Sequence, residues 1–305
     1  MIGMSESTTA DRYRSFGRLE AQGNSPAYAA RCEEIAEDAA FLAMLDGLPE
    51  PKRQPNLLFG AVRFLGGPVD ERLRTWATTH WDEVSAVMLA RSTQTNEPNR
   101  CASLLPLLAR LPQPLALVEV GTSAGLCLFP DKYRYEYSGH PPFGPPSPVV
   151  LACRTEGPLP ERMPQVAWRA GIDLNPIDIT DPEQTRWLEA LVWPEQHERL
   201  ARLRAALAMA RAEPRPLIVR GDLNEHLEEL VARAPTGATT VVFHSAVLWY
   251  LTPEDRERFA RTVRRLPVRW ISNETEPGRV GGCTLSLDGE PVARTGSHGQ
   301  FLDWL

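Results

Sequence analysis

The residues best suited to chemistry stand where an apolar run meets a glycine turn, in LALVEVGTSAG at positions 115–125. The run has the pattern of a buried strand, and Glu119 lies near its carboxyl end, the edge where open α/β sheets bind ligands. Gly121 would allow a sharp turn, and Gly125 would allow the backbone to approach a ligand closely. Because such turns are typical of sites for nucleotide-type ligands, the segment predicts a cofactor pocket.

Acidic residues follow two later apolar runs. In GIDLNP, Asp173 ends a predicted strand before a turn built by Asn175 and Pro176, and its carboxylate could accept both ribose hydroxyls of a nucleoside. In RGDL, Asp222 ends the next strand. Its carboxylate would either face the exocyclic amine of an adenine or cap the helix that begins near Asn224.

A fourth strand ends inside VVFHSAVLWYL, at His244 and Ser245. A serine nucleophile activated by this histidine is excluded, because adjacent strand residues point to opposite faces and no G-x-S-x-G elbow surrounds the serine. His244 is instead a candidate general base, since imidazole titrates near neutral pH. The alternative is a buried histidine whose hydrogen bonds are satisfied by its neighbours.

Polar side chains also crowd into RSTQTNEPNR, positions 91–100, within a stretch otherwise rich in apolar residues. Four adjacent hydrogen-bonding side chains cannot all point outward from one helical turn, and Pro98 argues against a continuous helix. Gln94, Asn96 and Glu97 would therefore either cap a helix and bond the two parts of the chain together, or close over the pocket and contact substrate.

Three tyrosines alternate at Tyr133, Tyr135 and Tyr137, so they share one face of a predicted strand. Their rings would either pack an inserted segment against the sheet or cover a ligand, which makes Tyr133 a candidate substrate contact. The insertion spans positions 133–156, includes PPFGPPSP, and is predicted to form a hairpin or lid.

The elements that position these residues fall into two parts. Up to position 111 the apolar periodicity is helical and is broken by Gly and Pro, which predicts a helical N-terminal lobe at 1–111. From 112 to 305 apolar runs alternate with helical segments, so we expect an α/β domain with a Rossmann-like parallel sheet and helices on both faces. The expected strands are 115–120, 166–173, 217–221, 239–244 and 268–272, with helices at 181–211 (broken at Pro194), 225–233 and 253–265. An Asp-Gly turn at 288–289 predicts a C-terminal β-hairpin.

Composition narrows the function classes. The chain of 305 residues has a formal net charge of −6, which gives little support to wholesale nucleic-acid binding. Five scattered cysteines without a C-x-x-C or His/Cys cluster indicate reduced thiols and no metal site. No apolar run reaches the roughly 18 residues that a membrane span needs, so a cytoplasmic protein without a membrane partner is expected. The oligomeric state is left open.

Four segments, LVEVGTSAG, GIDLNP, RGDL and VVFHSAVLWYL, resemble in the same order the sequential motifs of class I S-adenosylmethionine-dependent methyltransferases, over about positions 114–305. The resemblance implies S-adenosylmethionine as cofactor. It implies that the first motif holds the methionine part, the second acid holds the ribose, the third lies by the adenine and the fourth strand end faces the substrate. The residues concerned are Glu119, Gly121, Ser123 and Gly125; Asp173; Asp222; and His244. Ser123 replaces the usual middle glycine, and Glu119 and Asp173 lie 54 positions apart, farther than a single βαβ step.

The whole chain also resembles a bacterial family catalogued as domain of unknown function 2332, in RSTQTNEPNR, DKYRYEY, GIDLNPIDITDP, ALVWPEQ and VVFHSAVLWYL. That resemblance implies no reaction. We therefore expect a methyltransferase-like protein that uses S-adenosylmethionine and acts on a small molecule, with His244 as base and the acceptor near Gln94, Asn96, Glu97 and Tyr133. The alternatives are a non-catalytic protein that binds a partner, and a Rossmann enzyme that uses another nucleotide such as a dinucleotide. For the latter, G-x-x-x-G is weaker support than G-x-G-x-x-G.

Overall fold

The computed structural model describes residues 8–275 and 282–305, and the chain divides into two compact units. The first unit comprises the described part of Met1–Thr95 together with Asp181–Ala201. The second comprises Asn96–Thr180 and the described part of Arg202–Leu305. None of the helices in the described residues is long and apolar enough to cross a membrane.

The described residues form eleven α-helices and ten strands. In chain order the helices are α1 Thr9–Phe16, α2 Pro26–Glu37, α3 Ala39–Asp46, α4 Pro55–Phe64, α5 Leu73–Thr79, α6 Trp81–Ala90, α7 Arg100–Arg110, α8 Pro182–Leu191, α9 His197–Ala212, α10 Leu223–Ala232 and α11 Pro253–Arg265. The strands are β1 Leu115–Val120, β2 Arg134–Tyr137, β3 Val150–Cys153, β4 Val166–Asp173, β5 Leu217–Arg220, β6 Thr239–Ser245, β7 Arg269–Thr275, β8 Gly282–Leu287, β9 Glu290–Gly296 and β10 Leu302–Trp304.

The first unit is helical because its apolar residues recur at helical spacing between clear start signals. Ser25 caps α2 and Asp38 caps α3, each by accepting a backbone N–H of the first turn. The core of this unit is aromatic, with the rings of Tyr28 in α2 and Phe59 in α4 centred 4.3 Å apart. Trp187 of α8 belongs to the same core and donates its indole N–H to the carbonyl of Ser92 at 3.0 Å.

The second unit is built on an eight-stranded sheet with the order β10-β9-β8-β7-β6-β1-β4-β5. Five neighbouring strands, in the sheet order β5-β4-β1-β6-β7, run parallel. Beyond β7, the strands β8, β9 and β10 extend the sheet by antiparallel pairs. This confirms the mixed α/β class, the mostly parallel sheet and the C-terminal hairpin. The hairpin turns at Asp288 and Gly289, both with positive φ, as a two-residue turn between twisted strands requires.

The strand order reverses at β1, which lies between β4 and β6. From β1 the chain continues to β4 and β5 on one side, and then to β6 and β7 on the other. In open parallel sheets this reversal leaves a crevice at the carboxyl ends of the strands, where ligands bind. Helices α10 and α11 cover one face there, with Leu227 and Phe259 packed into the core of β1, β4 and β6.

The insertion at 133–156 is not a simple hairpin, which corrects that half of the expectation; the alternative of a lid stays a prediction. Strands β2 and β3 pair in parallel, with Tyr135 opposite Leu151. Between them Tyr135 forms an isolated antiparallel bridge with Phe143. The prolines of PPFGPPSP lack the N–H groups that a returning antiparallel strand needs, so the chain makes a single bridge and pairs only after it turns again.

Candidate functional site

The turn after β1 needs glycine at its first position. Gly121 has φ +71°, a left-handed conformation that L-residues rarely adopt. A Cβ atom at this position would lie 2.4 Å from Cγ2 of Val247, a residue that follows β6. The turn after β1 therefore approaches the turn after β6 closely enough that only a glycine fits.

Every backbone N–H of the turn at 121–125 already donates a hydrogen bond. Gly121 and Thr122 donate to the carbonyl of Ile172 at 2.8 and 3.2 Å, and Gly125 donates to the carbonyl of Thr122 at 2.7 Å. The amides of Ser123 and Ala124 donate at 2.8 Å to side chains, namely Asp173 Oδ2 and Asn96 Oδ1. In addition, a short 3-10 turn at Leu126–Leu128 follows, where a phosphate site would have an α-helix. The turn therefore lacks the two features that bind a phosphate, namely free backbone N–H groups and the N-terminus of an α-helix.

Asp173 joins the turn after β1 to the turn after β4. One carboxylate oxygen, Oδ2, accepts the Ser123 amide, and the other accepts the Asn175 amide at 2.7 Å. The side chain is half-buried. Each carboxylate oxygen can accept more than one hydrogen bond, so Asp173 can still receive hydroxyl groups of a ligand.

Ser123 explains the departure from the usual glycine pattern. Its φ is +47°, in the left-handed region, where a side chain costs roughly 1 kcal/mol relative to glycine. Its hydroxyl accepts a hydrogen bond from Nδ2 of Asn96 at 2.8 Å. The serine thus provides a contact that a glycine could not, and Asn96 bonds to two successive residues of the turn.

Glu119 is a buried acid beneath this turn, with 7% of its surface exposed. Its carboxylate accepts the hydroxyl of Thr122 at 2.8 Å. Burial raises the pKa of Glu119 well above its ordinary value, and the negative charge of a Cys127 thiolate would raise it further. The Thr122 hydrogen bond and the positive charge of Arg100 lower that pKa but do not outweigh burial. A cationic ligand group would favour the ionised form.

Asn96 and Glu97 are paired internally. Glu97 is 2% exposed and accepts two hydrogen bonds from the guanidinium of Arg202, at 2.9 and 3.3 Å, and one from the Asn99 amide at 3.0 Å. These bonds favour internal packing for both residues, without capping of α7, and their contact with substrate stays a prediction. Gln94 belongs to the first unit, whereas Asn96 and Glu97 belong to the second.

Two other predicted site residues have structural partners. Tyr133 is fully buried and donates its hydroxyl to the carbonyl of Leu126 at 2.6 Å. Asp222 caps α10 by accepting the Asn224 amide at 2.7 Å, which confirms the capping interpretation. Contact of Tyr133 with substrate, and of Asp222 with an adenine, stay predictions.

His244 is fully buried, and both of its ring nitrogens are hydrogen-bonded. The indole N–H of Trp270 can only donate, so Nε2 of His244, at 3.0 Å from it, must accept. The proton of the neutral ring is therefore on Nδ1, which donates to Oε1 of Glu274 at 2.6 Å. A general base needs an unoccupied lone pair, so this arrangement favours the satisfied histidine, and a catalytic role stays a prediction.

Glu274 is a residue that the sequence interpretation missed. Besides His244, it accepts the backbone amides of Val247 and Leu248 at 3.0 and 3.2 Å. Burial alone would raise the pKa of Glu274, but these hydrogen bonds and the electrostatic interaction with His244 together outweigh burial and lower it. Its signal was its position in ISNET, at the carboxyl end of β7 and so at the same sheet edge as the other acids.

Together the fold and the site define a mixed α/β protein whose mostly parallel sheet carries acidic and polar side chains at the carboxyl ends of β1, β4, β6 and β7. Among the described residues no group of three His, Cys, Asp or Glu side chains could hold a metal ion. The chain belongs to the family described as "uncharacterized protein conserved in bacteria (DUF2332)", whose profile matches residues 10–67 and 66–304. No significant match was found among curated proteins or among solved structures.

Proposed function

We propose that the second unit binds S-adenosylmethionine at the carboxyl ends of β1 and β4 and transfers its methyl group to a small molecule in the cytoplasm. The observation that carries this proposal is the position of Asp173. Its carboxylate ends β4, next to the strand at which the sheet order reverses, and it holds the turn that follows β1. On this proposal the sheet has the Rossmann-like architecture of the class I methyltransferases.

The chemistry of the turn favours this cofactor over a dinucleotide. S-adenosylmethionine joins a nucleoside to an amino acid and contains no phosphate, whereas a dinucleotide must place its pyrophosphate on free backbone N–H groups. Those of residues 121–125 are occupied. On this proposal the two oxygens of Asp173 accept the ribose hydroxyls.

Two neighbouring side chains fit the rest of such a ligand. Leu174 follows Asp173 and is 63% exposed, so it offers an apolar surface to the adenine ring. Glu119 lies beneath the same turn, where a ligand ammonium or sulfonium charge would stabilise its carboxylate.

The reaction needs little from the protein beyond alignment. When bound, S-adenosylmethionine would supply an electrophilic methyl group on a sulfonium. The glycine turn and Asp173 would orient the donor, which is the main requirement of such a transfer. His244 would act as base only if the Trp270 hydrogen bond to Nε2 is released.

Calorimetric binding to the full chain tests this proposal, with S-adenosylmethionine and S-adenosylhomocysteine as ligands and NAD and FAD as controls. Because Asp173 accepts the backbone amides of Ser123 and Asn175, Asp173→Asn is the informative variant. Its amide keeps one acceptor oxygen for the Ser123 amide, but the –NH2 group that replaces the other oxygen can accept neither the Asn175 amide nor a ligand hydroxyl. The matched control is Asp303→Asn, which changes an acid on β10 that pairs with Arg154.

We expect S-adenosylhomocysteine to bind the wild type and the Asp303→Asn variant equally, and the Asp173→Asn variant at least about tenfold more weakly, as loss of a charged hydrogen bond predicts. Binding of NAD or FAD alone would replace the proposal by the alternative of another nucleotide. A folded protein that binds none of the four ligands would favour the non-catalytic, partner-binding alternative.

A further inference from the structure

An apolar surface stands at the carboxyl edge of the sheet. Most large apolar side chains of the described residues are covered, but Trp249 is 58% exposed and Tyr250 is 68% exposed. Their rings contact each other, with centroids 4.3 Å apart. Adjacent exposed aromatic rings are unfavourable in water, so such a patch commonly marks a contact surface for a ligand or a partner.

The pair lies beside the proposed cofactor site. Trp249 and Tyr250 belong to the 3-10 turn Leu248–Tyr250, which follows β6, and β6 pairs directly with β1. Val247, immediately before this turn, is the residue that a Cβ at Gly121 would strike. The strand β1 lies between β6 and β4 in the sheet. The aromatic pair follows β6 on one side of β1, and Asp173 ends β4 on the other side.

The backbone that presents the pair is fixed at both ends. Before it, Glu274 accepts the amides of Val247 and Leu248. After it, Arg256 donates to the carbonyl of Trp249 at 3.0 Å and to that of Leu251 at 3.1 Å. A surface held in this way loses little conformational entropy when a ligand binds.

The chemistry of this surface is aromatic and its area is small. Glu274 and Arg256 use their charged groups to bond to the backbone of the turn. The two aromatic rings are the most exposed side chains of the turn. Each aromatic side chain can bury about 150–250 Å², and two of them supply well under the roughly 800 Å² per partner that a stable protein interface needs. A small molecule with a flat ring matches this area, because aromatic rings pack favourably against each other in offset or edge-on arrangements.

We infer that Trp249 and Tyr250 form the contact surface for the methyl acceptor, and that this acceptor is a small compound with an aromatic or heteroaromatic ring. This inference rests on the proposed function for the donor. It assigns the specificity of the reaction to the turn after β6.

The test compares two double variants of the full chain. Trp249→Leu with Tyr250→Leu keeps apolar bulk but removes both rings, and Trp249→Phe with Tyr250→Phe keeps both rings. Both positions are exposed, so neither double variant should unfold the chain. Binding of phenol-, indole- and quinoline-type fragments, and of aliphatic acids and amines of similar size, is measured by saturation-transfer NMR with S-adenosylhomocysteine present. Calorimetry with S-adenosylhomocysteine and size-exclusion chromatography are run on the same samples.

We expect the wild type and the Phe variant to prefer the aromatic fragments, and the Leu variant to bind them about tenfold more weakly, with unchanged affinity for S-adenosylhomocysteine. Equal binding of aliphatic fragments, or equal binding by the Leu variant, would overturn the inference. A dimer that the Leu variant converts to a monomer would overturn it in favour of a second copy of the chain. Ring-dependent fragment binding in a protein that does not bind S-adenosylhomocysteine would support the aromatic surface and overturn only the proposed cofactor.

Discussion

The carboxyl edge of the sheet has two halves that use their acids differently. At β1 and β4, Asp173 is half-buried and bonds to backbone amides, so its oxygens keep capacity to accept further groups. At β6 and β7, Glu274 and His244 bond to each other, to Trp270 and to the backbone of the turn at 246–248. Both acids stand at strand ends in the sequence, yet only Asp173 was predicted from it, and only the structure shows how their partners differ.

The comparison teaches that an acidic residue at the end of a strand does not by that fact alone bind a ligand. What separates the halves is the number of internal partners that each carboxylate already has. On this basis we propose that the β1–β4 half binds the cofactor, whereas the acids of the β6–β7 half support the turn that carries Trp249 and Tyr250. Loss of the Glu274 carboxylate should therefore mainly reduce stability, whereas loss of the Asp173 carboxylate should mainly weaken cofactor binding.

The largest effect is expected at Glu274. Glu274→Ala leaves the Nδ1 proton of buried His244 and two backbone amides without their acceptor, so we expect the free energy of unfolding to fall by about 4 kcal/mol in urea titrations. Glu274→Gln keeps an acceptor and should lose about half as much. A loss below 1 kcal/mol for the alanine variant would contradict the supporting role.

The same carboxylate predicts an acid-sensitive component of stability. The folded-state pKa of Glu274 lies below its ordinary value of 4.5, so its contribution is present above pH 4.5 and is lost as the pH falls through the folded-state pKa. Urea titrations of the wild type between pH 6 and 3 should show this loss. Glu274→Gln should show a shallower decline, and an identical pH dependence would argue against the hydrogen bonds described.

The next effect tests whether the two halves meet at Gly121. Gly121→Ala should cost about 3 kcal/mol, because it adds left-handed backbone strain to a clash with Val247. Val247→Ala made in the same chain should remove the clash but not the strain, so a double-mutant cycle should give a coupling energy of at least about 1 kcal/mol. Simple additivity would show that the turns do not contact.

Glu119→Gln should stabilise the protein while it weakens the binding of a cationic ligand. Because burial raises the folded-state pKa of Glu119, the wild type loses stability as the pH rises above 4.5, at up to about 1.4 kcal/mol per pH unit. The amide cannot ionise, so near pH 7 the variant should be about 2 kcal/mol more stable in urea titrations. Equal stability of the two proteins from pH 5 to 8 would mean that Glu119 is solvated.

The smallest effect is expected at Ser123. Ser123→Gly relieves the left-handed strain but loses the hydrogen bond with Asn96, and the two terms of roughly 1 kcal/mol oppose each other. We expect a net change below about 1 kcal/mol by urea titration. Asn96→Ala has no such compensation and should be more destabilising; the reverse order would show that the strain dominates.

Much of the sheet could be predicted from sequence because its strands are short apolar runs with clear ends. The predicted strands 115–120 and 166–173 match β1 and β4 at both ends, and the helix at 253–265 matches α11. The parallel pairing of β2 and β3 could not be predicted, since it depends on how a proline-rich segment turns between them. Local patterns do not encode such a return path.

The site was harder to predict than the fold. Glycine at 121 and an acid at 173 follow from the position of strand ends, which a sequence shows. The bond of Trp270 to His244 and the three contacts of Glu274 join residues that are 26 to 30 positions apart, and they depend on the register of β6 with β7. The partners that decide whether a histidine is free are therefore visible only in three dimensions.

Hydrogen–deuterium exchange on the full chain, with and without saturating S-adenosylhomocysteine, tests the division of the edge most directly. If the β1–β4 half binds the cofactor, the amides of residues 121–125, 173–175 and 177 should exchange more slowly with ligand, and those of 246–248 should change little. Protection confined to 246–248, or no protection anywhere at saturating ligand, would contradict the account.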